Sequence, residues 1–180
     1  MGLSQAARTD DTRHRMTPEA QLLDTVGFAM SRFGLCVTED VYDPWVATGG
    51  VLMAQQAAVI ALRAAGDTIP AQAGGTELLL RAASKDRLPA PFTLPFTASA
   101  RHAFDRLVDA RNAFMHPRGV TWFISAQTLA SGMPVAANVV RHLILTQPVL
   151  NNLVSPSEQD RLRQDLQAID AFSDFLSPAN

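Results

Sequence analysis

The residues best suited to chemistry lie in one stretch, Ala98 to Gly119, ASARHAFDRLVDARNAFMHPRG, which gathers Arg101, His102, Arg106, Arg111, His116 and Arg118 towards one end. Its centre is RNAFMH, Arg111 to His116. Guanidinium is planar and always charged, and it meets carboxylate or phosphate through paired hydrogen bonds. Imidazole titrates near neutrality, so His116 can take or give a proton. Asn112 adds an amide that can orient the histidine or hold an anion.

A helix must position these groups. Phe104, Leu107, Val108, Arg111 and Met115 recur at i, i+3, i+4, i+7 and i+11, which is one apolar stripe of an amphipathic helix. Arg111 therefore takes a core-facing position, where a guanidinium needs a partner: a carboxylate, backbone carbonyls, a second subunit or a phosphate. Asp105, Asp109, Asn112 and His116 form the polar stripe beside it. In a continuous helix Arg111 and His116 would point about 140° apart. Pro117 disfavours helical geometry at His116, so a helix ending at Met115 lets the imidazole swing back towards Arg111.

Length and composition bound the rest. The 180 residues suffice for one well-buried domain, and the net charge of −2 provides no global basic field for nucleic acid, so any such binding must be local. Lys85 is the only lysine; the arginine and alanine bias reads as genome composition rather than as a recognition device. The single cysteine, Cys36, excludes an internal disulfide, reads as a small buried hydrophobe and points to a reducing, cytoplasmic setting. Residues 1–16 have no apolar core and read as a disordered tail rather than a secretory signal, followed by a single helical domain over 17–180. Trp45 to Ala65 is the most apolar long segment, but Gln55, Gln56, Gly49 and Gly50 interrupt it; it reads as a buried helix, and no membrane partner is expected.

In chain order, the first helix should start at Thr17 with Pro18 at its first position, bury Leu22, Val26, Met30 and Phe33, and stop at Gly34. The next start is open between Thr38 and Asp43; the helix runs to Ala65 with Gly66 as its cap and Val51, Gln55, Ala58, Val59 and Leu62 on one face, and Gly49 and Gly50 are expected to kink its beginning. Thr76 opens a shorter helix, ELLLRAASKDR, and the prolines at 89, 91 and 95 impose an extended connection. Residues 120–125, VTWFIS, fit either a short strand or an apolar helical turn. Gly132 and Pro134 then open a helix through Val135, Val139, Val140 and Leu143. Ser155, Pro156 and Glu158 form a capping box before a helix that buries Leu162, Leu166, Ile169 and Leu176. The sum is an all-α bundle of about five or six helices.

Several chemistries are absent from the motif record. There is no G-x-S-x-G, no glycine-rich phosphate loop and no cysteine pair. His102 and Asp105 share a helical side, but no second histidine follows at i+4, so no metal and no cofactor is expected. Asp105 and Asp109 read as partners for Arg101, Arg106 or Arg111.

The run LVDARNAFMHP, with Arg111, Asn112 and His116 at R-N-x3-H spacing before a helix-ending proline, resembles the HEPN superfamily (higher eukaryotes and prokaryotes nucleotide-binding). Its members are small helical bundles marked by an arginine, a polar residue and a histidine at a helix end. The resemblance covers this motif and the helical architecture around it. Arg118 stands where one variant of the family carries a tyrosine.

The resemblance implies an HEPN-like bundle and a metal-independent RNA endonuclease of toxin or defence type. Its site would form where two copies of the motif face each other in a homodimer, and an antitoxin or other protein is the further partner implied. Arg111, Asn112 and His116 would be catalytic: His116 moves a proton at the ribose 2′-hydroxyl or the leaving 5′-oxygen, and Arg111 stabilises charge on the phosphorane. Arg118, Arg106 and Arg101 would steer the RNA backbone, partly cancelled by Asp105 and Asp109. The alternative is a non-catalytic binding or dimerisation module with the same helical pattern, in which Arg111 is tied to an acid and His116 caps the helix.

Overall fold

The structure is a computed structural model, described here for residues 17–39, 43–116, 124–146 and 154–177. Among these residues it is all-helical: α1 (Pro18–Glu39), α2 (Pro44–Ala64), α3 (Gly75–Ala82), α4 (Ala98–Met115), α5 (Ala126–Val140), which runs into a π-helical turn (Arg141–Leu145), and α6 (Pro156–Leu176). The expected bundle of five or six helices is what forms. The 1–16 tail, Arg118 and residues 120–123 of the strand-or-helix segment lie outside the described residues.

Local chemistry explains the starts. The Asp43 carboxylate accepts from the Trp45 N–H, and Pro44 fills the first turn, where a missing N–H costs nothing; this resolves the open start in favour of Asp43. Ser155 and Glu158 exchange the reciprocal bonds of a capping box at α6, as expected. Gly66, at φ +79°, takes the left-handed geometry that ends α2.

Four expectations need correction. Helix α1 does not stop at Gly34 but continues to Glu39, burying Cys36. Gly34 is there for space, since a Cβ would stand 3.2 Å from the Phe172 ring of α6. Gly49 and Gly50 do not interrupt α2; a Cβ at Gly49 would lie 2.8 Å from that of Ala29, and one at Gly50 would lie 2.5 Å from Met133 Sδ, so both admit close helix packing. Helix α3 ends at Ala82, and Ser84 to Arg87 turn back so that Arg87 reaches Asp67. Helix α5 begins at Ala126, capped by Ser125 on the Thr128 N–H, which leaves Gly132 and Pro134 inside it rather than at its start.

The bundle has two layers. In one, α2 lies between α1 and α4, and α1 and α4 do not pack on each other among the described residues. Beneath, α5 supports α2 and α4 while α6 supports α1 and α5; α3 packs on α2 and α4. Leu107 of α4, fully buried, sits between two glycines, Gly50 of α2 and Gly132 of α5: Cβ atoms there would come within 3.0 and 3.1 Å of its side chain. Helix α2 is long and apolar enough to cross a membrane, but 67% of the qualifying window is buried in the bundle, as expected of a core helix.

Candidate functional site

Thr97 starts α4 by accepting the Ala100 N–H, and Phe104 and Leu107 anchor its apolar stripe in the core. Burial then fades along the stripe: Val108 and Arg111 are half-buried, and Met115 is exposed. The helix ends at Met115, as the following proline requires. His116 leaves helical geometry, at φ −128° and ψ 67°, while its N–H still donates to the Asn112 carbonyl at 2.9 Å.

Among the described residues Arg111 finds none of the carboxylates that its stripe position calls for. Its Nη1 donates to the neighbouring Asn112 Oδ1 at 2.9 Å, and among the described residues this is the bond it makes. The contrast with other half-buried arginines is sharp. Arg32 pairs with Asp43, Arg81 with Asp67 and Arg141 with Asp170. Among the described residues Arg106 and Arg111 have no carboxylate, and of these two only Arg106 has a cross-helix partner there, the Ser131 hydroxyl of α5 at 2.8 Å. The exposed His116 imidazole makes no bond to Arg111 or to any other described residue.

The structure thus brings Arg111, Asn112 and His116 to one helix end and spreads the other arginines away from them. Arg101 is exposed beside Asp105, with Nε 3.6 Å from the carboxylate. Arg106, five residues on, leaves the helix about 140° away, towards α5. No continuous basic track joins Arg101, Arg106 and Arg111 among the described residues. Asp105 also accepts from the Thr76 hydroxyl of α3 at 2.6 Å, so of the two acids only Asp109 stays exposed and unbonded among the described residues. Among them, too, no group of three His, Cys, Asp or Glu side chains could hold a metal, and His102 is exposed.

Sequence reasoning missed Trp45. Its indole meets the Phe114 ring edge-to-face, centroids 4.9 Å apart, tying the first turn of α2 to the last turn of α4. The sequence signal was limited to the Asp43-Pro44 start that places Trp45 on the first turn; its distant partner leaves no trace in local periodicity. Elsewhere, an open concavity of about 450 Å³ lies beside the π-helical turn, but its two arginines are engaged, Arg141 by Asp170 and Asn138, and Arg163 by Asp160 and Gln159.

No family model matches the chain, and neither a curated protein nor a solved structure matches it.

Proposed function

We propose that this chain is an HEPN-like, metal-independent RNA endonuclease whose site is completed between two copies. One observation carries the reading: Arg111 is half-buried without a counter-charge among the described residues, bonded to a neutral amide, five residues before a histidine released at the helix end. A guanidinium so placed is suited to an anionic ligand, because taking up phosphate would supply the missing charge. Asn112 then acts as a positioning residue, its Oδ1 holding the Arg111 fork.

In the reaction the ribose 2′-oxygen attacks the adjacent phosphorus and the bond from phosphorus to the 5′-oxygen breaks. The products are a 2′,3′-cyclic phosphate and a 5′-hydroxyl. His116 removes the 2′-hydroxyl proton in one copy, and the protonated His116 of the other gives a proton to the leaving oxygen. Arg111 stabilises the negative charge on the non-bridging oxygens. The requirement for a 2′-hydroxyl restricts the activity to RNA. A toxin or defence role in the cytoplasm, with an antitoxin or other protein as regulator, belongs to the same proposal.

The test is incubation of the wild type and His116→Ala with mixed structured and single-stranded RNA in EDTA, with end-group analysis. Cleavage that leaves 2′,3′-cyclic ends and is lost in the variant is expected. Cleavage that needs magnesium, or that survives the substitution, overturns the reading. A second reading, a non-catalytic binding module, draws on the absence of a basic track beside Arg111 among the described residues; folded wild type that never cleaves RNA would favour it.

A further inference from the structure

A tryptophan that serves packing alone is normally well buried, yet Trp45 is 43% exposed although both its backbone and its ring are held. Its N–H donates to Asp43 Oδ1 at 2.8 Å, and the same carboxylate pairs with Arg32. The indole meets the Phe114 ring with the two planes 77° apart, so Phe114 meets at most one face of the indole and leaves the other. This aromatic surface adjoins the candidate site. Arg111 and Phe114 are three residues apart on α4 and so are neighbours on its surface, with Cβ atoms about 5–6 Å apart. The guanidinium and the indole therefore flank the same ring. Local charge does not oppose a phosphate chain there. Helix α2 has no charged residue from Pro44 to Leu62, the Asp43 carboxylate is taken up by Arg32, and Asp109 leaves α4 about 160° from Arg111.

We infer that Trp45 is a base-stacking platform of the RNA site: an unpaired base next to the phosphate held by Arg111 lies on the open face of the indole, which makes single-stranded RNA the substrate. The inference rests on the ribonuclease reading above for the polymer; the choice of residue comes from the exposure and geometry just given. Affinity has to come from somewhere other than charge. With no continuous basic track joining Arg101, Arg106 and Arg111 among the described residues, phosphate contacts near the site are few. Stacking adds affinity without charge, and it does so for any base, since every base has a π-face. A duplex buries its base faces against one another, so only loops, bulges and ends can use the indole. The chemistry favours the same substrate. Attack by the 2′-oxygen requires it to stand opposite the leaving 5′-oxygen, and a nucleotide drawn out of the helical stack is free to turn into that alignment. An indole already fixed by Asp43 and Phe114 loses little freedom when the base arrives.

The test is equilibrium binding of a short fluorescein-labelled single-stranded RNA whose 2′-hydroxyls are replaced by fluorine, so that it binds but is not cleaved, read by anisotropy. It is compared with the matching duplex and with a strand of the same length from which every base has been removed. Wild type should bind the intact strand about tenfold or more tighter than the abasic strand, in line with one stacked base, and tighter than the duplex by a similar factor. Trp45→Leu keeps an apolar contact to Phe114 but has no π-face; in it the gap between intact and abasic strands should close by about tenfold. A residue that only positions α4 would weaken both strands and leave the gap. Phe175→Leu, at an exposed aromatic on α6, should bind like wild type, and circular dichroism checks each fold. Wild type that does not bind, that binds duplex as tightly, or whose gap persists in Trp45→Leu overturns the inference. Native RNA given to the same samples separates the two readings. A gap closed in Trp45→Leu with no cleavage by wild type leaves the platform standing and removes the nuclease, whereas His116-dependent cleavage without a gap does the reverse.

Discussion

Trp45 and Phe114 meet edge-to-face, with ring planes 77° apart, although they are far apart in the chain. The pair joins the start of α2 to the end of α4, and so it fixes the helix end that presents Arg111, Asn112 and His116. Trp45→Ala is expected to lower stability by about 1–2 kcal/mol, the worth of an aromatic pair plus part of its buried area, read by urea denaturation. A change below experimental error would show that the α4 end is held without the indole.

Arg111→Met should change unfolding free energy by no more than about 1 kcal/mol, because the aliphatic stem is retained and no carboxylate is left buried alone. The same substitution should abolish RNA cleavage. A loss of 3 kcal/mol or more in urea melts would reveal an acid partner and return Arg111 to a structural role.

Gly49→Ala and Gly50→Ala test the close packing of α2. At Gly49 the new Cβ meets both the Cβ and the Cα of Ala29, so the α1 backbone must move. At Gly50 the nearest atom, Met133 Sδ, belongs to a flexible side chain that can turn aside. Both should destabilise, within the range of about 1–3 kcal/mol typical of overpacking, and Gly49→Ala should cost more. The order of the two thermal midpoints decides the point; the reverse order would place the tighter contact at Gly50.

Asp67 sets part of the acid limit. Burial raises the pKa of its carboxyl, but hydrogen bonds and charge from Arg81, and then from Arg87, outweigh that and hold it below the ordinary carboxylate value. A folded pKa below the unfolded value of about 3.9 contributes stability at higher pH that is lost as pH falls through the folded value. The melting temperature of Asp67→Asn should therefore lie below wild type at pH 7, with the gap closing in acid. A gap independent of pH down to 3 would refute this account.

Asp165 behaves in the opposite sense. Burial against α1 pushes its carboxyl up, only partly opposed by Arg161 at 3.9 Å. Its ionised form is thus disfavoured in the folded state, a cost present at neutral pH and relieved as pH falls through the raised value. Asp165→Asn should melt above wild type at pH 7 and converge with it in acid. A variant less stable at neutrality would mean that the Arg161 contact outweighs the burial.

Much of the fold was legible because the signals were local. The stripe Leu22, Val26 and Phe33 and the Ser155–Glu158 box each act within a few residues and formed as expected, and of the two candidate starts for α2 the Asp43-Pro44 one formed. Gly34, Gly132 and Pro134 misled because a glycine or proline in sequence marks a break only when no tertiary contact needs the space. Gly34 faces the Phe172 ring and Gly132 faces Leu107, and packing retains helix through both. At the candidate site, the end of α4 and the release of His116 followed from Pro117, while the partners of Arg106 and Asp105, Ser131 and Thr76, come from other helices and leave no mark in the local pattern.

The seat of Leu107 carries a mechanical consequence. With Gly50 on one side and Gly132 on the other, and the Ala103 carbonyl 3.3 Å from where a Gly132 Cβ would stand, the side chain acts as a pin between two flat walls. Arg111 lies one turn further along α4, about 6 Å of axial rise away. Helix α4 therefore cannot slide along its axis without dislodging the pin, and the aim of Arg111 is governed from two glycines on other helices. A methyl group added at Gly132 would act as a shim, displacing the guanidinium through Leu107 one turn away.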